Sequence, residues 1–150
     1  MPKPNPKQLS LTVQYVCNNS SLPLRPKLRK WVGAALEDDV VSATLTLRFV
    51  DAEEGRELNR GYRGKNNATN VLSFAYDPPP RLVGDLVLCV PVVLEEAVEQ
   101  GKPAGDHFAH LVVHGMLHLQ GYDHQSDAEA KLMESKEGEI LARLGVGNPY

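Results

Sequence analysis

The chain has 150 residues, the size of one domain that buries its own core without help from disulfides. Its two cysteines, Cys17 and Cys89, form no C-x-x-C pair, which argues against a disulfide framework and a thiolate zinc site, and Cys89 in LVLCV reads as core. A net charge of −3 argues against wholesale wrapping by nucleic acid while allowing a local basic site, and no apolar stretch approaches membrane-spanning length, so a cytoplasmic protein without a membrane partner is expected.

From the N-terminus, QLSLTVQYV alternates Leu9, Leu11, Val13 and Tyr15 with polar neighbours, the period of a half-buried strand. Leu28, Trp31, Ala35 and Leu36 then recur at helical spacing, and ATLTLRFV sets Leu45, Leu47 and Phe49 on one side of a second strand. Asp51 followed by Glu54 resembles a capping box that opens a short helix ending near Gly61. A polar loop, GKNNATN, follows, in a region where Arg56, Arg60, Arg63 and Lys65 outweigh the single acid Glu57. NVLSFAY and GDLVLCV read as third and fourth strands, joined by a mobile proline-rich turn, DPPPRLVG. Pro91 suits the first position of a helix running to about Gly101, and another helix starts at about Pro103. Ser126 with Glu129 caps a last helix, whose Leu132, Met133, Ile140, Leu141 and Leu144 are expected to face inward before Gly145 closes it. No repeat or linker divides the chain, so residues 1–150 read as a single domain.

The stretch HGMLHLQGYDH, residues 114–124, concentrates chemistry. His114 and His118 lie one turn apart on one helical face, which is chelate spacing. Gly121 can take a left-handed conformation that ends the helix and lets His124 swing toward the first two. Three imidazoles around one cation leave a fourth position for water, the arrangement of an open, catalytic zinc site. His110 also precedes His114 by one turn, but it lies about 12 Å along the axis from His118, too far to share one metal with it. His110 is left as a cleft-lining group or an ordinary helix residue, and His107 as an ordinary one.

The spacing H-x-x-x-H-x-x-G-x-x-H is that of the metzincin zinc peptidases, in which glutamate follows the first histidine as general base. Here that position is Gly115, which demotes a peptidase reading. The same stretch, together with ELNRGYRGKNNATNVLSFAYD, GDLVLCVPVV and GKPAGDHFAHLVVHG, resembles the YbeY family of bacterial endoribonucleases, or rRNA maturation factors, in order and spacing over roughly residues 50–145. Ala75 departs from the family's proline, and Asn66 and Asn70 stand where aspartate is frequent.

The resemblance implies an α+β fold with a mixed four-stranded sheet and helices around it, carrying a metzincin-like metal site. It implies zinc-dependent cleavage of single-stranded RNA in maturing the 3′ end of small-subunit ribosomal RNA and in ribosome quality control. The partners would be ribosomal RNA, the small ribosomal subunit and ribosome-assembly proteins. One Zn2+ held by His114, His118 and His124 would lower the pKa of a bound water toward about 7 and polarise a phosphoryl oxygen. The family's YRGK arginine maps to Arg63, which could place two donors on the scissile phosphate. Arg60 and Lys65 either hold flanking phosphates or belong to a solvated basic loop. Asp123 orients an imidazole or accepts a proton, or else caps the turn. A zinc peptidase and a ribosome-associated factor with a structural metal are the alternatives.

Overall fold

In the computed structural model, residues 8–17, 19–64 and 69–150 are described. Four strands, β1 (Gln8–Tyr15), β2 (Ser42–Val50), β3 (Val71–Asp77) and β4 (Arg81–Cys89), pair in the order β1-β2-β4-β3. The pairs β1·β2 and β2·β4 are parallel and β3·β4 is antiparallel, so the sheet is mixed and β3 forms one edge. Among the described residues there are five helices, α1 (Arg25–Ala35), α2 (Ala52–Arg63), α3 (Val90–Glu99), α4 (Ala104–Leu119) and α5 (Asp127–Arg143). This is the α+β architecture that the sequence led us to expect.

Side-chain alternation divides the sheet into two faces. Leu45, Leu47 and Phe49 of β2 join Leu82, Leu86 and Leu88 of β4 in the larger core, covered by α1, α4 and α5. Helix α1 contributes Leu28, Trp31, Val32 and Ala35, a single stripe at helical spacing. On the opposite face Val50, Leu72, Val87 and Cys89 form a smaller cluster against Leu58 of α2, with Phe74 at its rim.

Helix α4 reaches the sheet closely through a reciprocal fit that the sequence reading did not identify. A Cβ on Gly115 would stand 2.7 Å from Leu86 Cδ2, and one on Gly84 would stand 3.0 Å from both methyl groups of Leu119. Each element thus carries a glycine opposite the other's leucine. Leu86, Leu117 and Met116 are all fully buried, as native packing density requires.

The structure corrects three local expectations. Helix α2 runs on through Gly61 to Arg63 and stops at Gly64, whose φ of 70° is left-handed. The basic residues expected partly in a loop therefore include Arg60 and the backbone of Arg63 in the last helical turn. The proline-rich turn is shorter than expected, because Arg81, Leu82 and Val83 already pair with Ser42, Ala43 and Thr44, and the Pro80 carbonyl accepts from Val41 N and Ser42 N. In α5, Met133, Ile140 and Leu141 are buried, but Leu132 is 56% exposed. The inward position between them is filled by Glu137 instead.

Candidate metal centre

Helix α4 and the turn after it bring the histidines together. Gly121, at φ 104°, reverses the chain after α4. The rings of His114, His118 and His124 then form a triangle with centroid separations of 6.4, 5.8 and 6.1 Å. His118 lies in the last turn of α4, where the partial negative charge of a helix C-terminus favours a cation.

Hydrogen bonding determines which ring nitrogen is available. His114 Nδ1 contacts Glu137 Oε1, and His118 Nδ1 lies 2.9 Å from the Tyr122 carbonyl oxygen. An ionised carboxylate and a carbonyl only accept, so both Nδ1 atoms carry a proton, and in the neutral tautomer Nε2 is the nitrogen that holds the lone pair. His107 and His110 are arranged the other way. His107 Nε2 lies 2.8 Å from Glu96 Oε1, and His110 Nε2 lies 3.3 Å from Glu137 Oε2. Their Nε2 atoms are spent on carboxylates and their Nδ1 atoms are buried without a partner.

Glu137 is the residue that sequence reasoning missed. It is fully buried and receives His110, His114 and the hydroxyl of Tyr150. Burial pushes its carboxyl pKa up, but the hydrogen bonds from His110, His114 and Tyr150 outweigh that and hold it at about 2. The signal was present, since Glu137 stands four residues after Met133, three before Ile140 and four before Leu141, a lone acid in an apolar stripe. Tyr150 in turn has its hydroxyl pKa raised by burial and by the Glu137 carboxylate.

The donor set suits a metal ion. Ligand atoms of His118, Asp123 and His124 lie within 4.8 Å of one another. Asp123 Oδ1 also accepts from His124 N at 2.7 Å and stands 3.9 Å from His124 Nδ1, so the carboxylate both caps the turn and faces the imidazoles. His114 is not among these three, and its ring lies beside them, with its centroid 6.4 Å from that of His118 and 5.8 Å from that of His124. Neutral imidazoles with one carboxylate are a normal set for a divalent transition metal.

A cleft of about 460 Å³ runs beside the histidines and across the edge of β3, with Tyr62, Asn70 and Ser73 among its lining residues. Asn70 Nδ2 donates to Glu96 Oε1 at 3.1 Å, which ties the start of β3 to α3. Arg60 is exposed on α2. Lys65 lies outside the described residues, as does the side chain of Arg63.

Comparison with known proteins places this architecture among relatives. Residues 15–145 match the family model described as Endoribonuclease YbeY. The chain is 56% identical over 146 residues to the Endoribonuclease YbeY of Aromatoleum aromaticum, covering 95% of this chain and 93% of that one. It is 53% identical to the protein of the same name from Nitrosomonas europaea, covering 96% and 86%. A solution structure from Thermotoga maritima shares the fold with a TM-score of 0.60 and 22% identity, over 89% of this chain and 92% of that one.

Proposed function

Because this chain belongs to the YbeY family of endoribonucleases, we propose that it is a zinc-dependent hydrolase of single-stranded RNA, with residues 1–150 as one catalytic domain. Its role is 3′-end maturation of small-subunit ribosomal RNA and ribosome quality control in the cytoplasm. The small ribosomal subunit and assembly proteins are its partners. The observation that carries the chemistry is the shared orientation of His114 and His118. Both rings donate through Nδ1 and leave Nε2 free, with His124 completing the triangle beside an open cleft.

In this reading His114, His118 and His124 hold one zinc ion. Bound there, zinc supplies Lewis acidity toward a phosphoryl oxygen and a nucleophile at neutral pH. Glu137 and the Tyr122 carbonyl orient two of the imidazoles and fix the proton on Nδ1, as partners on the far nitrogen of a ligand do. Asp123, within reach of His118 and His124, is the carboxylate placed to accept a proton. Arg63 is assigned to the scissile phosphate, where a guanidinium fork stabilises developing negative charge. Arg60 and Lys65 are assigned to flanking phosphates. The close approach of Gly115 to Leu86 speaks against a peptidase, because residue 115 faces packed core where such an enzyme needs its glutamate.

Cleavage of a labelled single-stranded RNA by zinc-loaded protein tests this, with metal content assayed beside His114→Ala and Arg63→Glu variants. The histidine variant is expected to lose both metal and cleavage, and the arginine variant to keep metal and lose cleavage. Equal cleavage by all three proteins would place the activity elsewhere.

A further inference from the structure

The cleft beside the histidines has a second wall of a different character. Val71 and Ser73 of β3 pair with Leu88 and Leu86 in register, on the face toward α4, whereas Leu72 and Phe74 share the face that α2 covers. Because β3 is the edge strand, the cleft crosses from the histidine side to the α2 side of the sheet. On that far side it meets Tyr62, in the last turn of α2.

Tyr62 differs from the other four tyrosines of the chain's five. Tyr15 donates its hydroxyl to the Pro23 carbonyl, Tyr76 to Asp85, Tyr122 to Glu37 and Tyr150 to Glu137. Among the described residues Tyr62 makes no such bond, and the residue is 58% exposed. The ring is nonetheless held, since its centroid lies 4.4 Å from that of Phe74 at an interplanar angle of 53°. Phe74 is in turn seated on the apolar cluster of Val50, Leu72, Val87 and Cys89. A backed aromatic ring, left open in a cleft, is the arrangement by which proteins stack unpaired nucleobases.

We propose that Tyr62 is a base-stacking residue, receiving a nucleobase of single-stranded RNA across the β3 edge from the histidines. The proposal rests on the endoribonuclease reading and deepens it. Stacking is indifferent to hydrogen-bonding pattern but needs an unpaired base, so Tyr62 would contribute preference for single strands without preference for sequence. A base lodged on this wall would also fix the distance of its own phosphate from the histidines, which makes Tyr62 a positioning element for the strand.

The test uses full-length zinc-loaded protein and oligoribonucleotides carrying 2-aminopurine at successive positions, whose fluorescence is quenched on stacking. Wild-type protein is expected to quench at one position or a few adjacent ones, and Tyr62→Ala to abolish the quench and weaken binding about 5- to 150-fold. Tyr62→Trp should keep both, because it keeps a stacking face. Tyr62→Leu covers Phe74 with an apolar side chain and should behave as alanine does, with zinc content and Tm unchanged. If leucine binds and quenches like tyrosine, or if the alanine variant binds as tightly as wild type, Tyr62 is only cover for Phe74 and the proposal falls. If wild-type protein binds single-stranded RNA no better than duplex but cleaves it, stacking falls while the nuclease reading survives. Failure of wild-type protein to bind or cleave any RNA overturns both.

Discussion

Glu137 of α5 accepts the Nδ1 proton of His114 of α4 from within the core, and no part of Glu137 reaches solvent. A buried carboxylate is costly unless charged or polar donors surround it, and here His114, His110 and Tyr150 all converge on it. The pair ties the orientation of a candidate ligand to the packing of two helices. Glu137→Ala should therefore weaken zinc binding by about 10- to 100-fold, the usual effect of losing a ligand's outer partner. Glu137→Gln keeps an oxygen acceptor for His114 and should fall between alanine and wild type. Competition with a chromophoric chelator measures all three, and equal affinities would show that His114 is oriented by other means.

The meeting of Gly115 and Leu86 gives a stability prediction independent of chemistry. A methyl at position 115 would stand 2.7 Å from a leucine methyl that is itself fully buried. Gly115→Ala should cost about 1–3 kcal/mol by overpacking, and Leu86→Ala about 2–5 kcal/mol by leaving a cavity. Each change compensates the other, so the double variant should be clearly more stable than the sum of the two losses implies. Urea denaturation of the four proteins measures the coupling. Strict additivity would mean that the two positions do not press on each other.

Much of this was legible in the residues because local rules and global fold agreed. Asp51 and Ser126 cap their helices through Glu54 N and Glu129 N, as the S/D-x-x-E patterns indicate. His114, His118 and His124 converge because helical spacing and a left-handed Gly121 leave them little alternative. What escaped notice depended on residues distant in sequence. Glu137 becomes meaningful only when α5 lies along α4, and Gly84 and Gly115 only when the helix meets the sheet. Gly61 misled because a glycine can sit inside a helix as well as end one, and its neighbour Gly64 is the one with positive φ. Tyr62 gave no periodic signal, since its setting is made by Phe74 on another element.

His107 sets an acid limit to stability away from the candidate metal centre. It is 2% exposed, and burial lowers its imidazole pKa more than the neighbouring Glu96 carboxylate raises it. An unfolded chain takes up this proton at about pH 6.5, whereas the folded protein resists it. The stability that His107 contributes is thus complete above about pH 6.5 and declines as pH falls toward the lower folded-state pKa. His107→Gln can still donate to Glu96 but does not titrate. The difference in unfolding free energy between wild type and this variant should therefore shift against wild type between pH 7 and pH 5. A difference that stays constant with pH would mean that His107 takes up its proton equally in both states.

Arg60 offers a direct reading of where the RNA backbone runs. It is exposed in the last turn of α2, two residues before Tyr62, on the α2 side of the β3 edge. A cation that neutralises one phosphate of a single strand contributes about 0.7 to the slope of log affinity against log salt, because bound counterions are released. Arg60→Ala should lower the magnitude of that slope by about 0.7, measured by fluorescence anisotropy of a labelled single-stranded oligoribonucleotide. Arg29 serves as the control, since it donates to the Leu9 carbonyl at 3.1 Å beside β1, at the opposite edge of the sheet. Arg29→Ala should leave the slope where it was. If instead the two variants change it equally, the contribution of Arg60 comes from net charge alone, and the strand does not pass along α2.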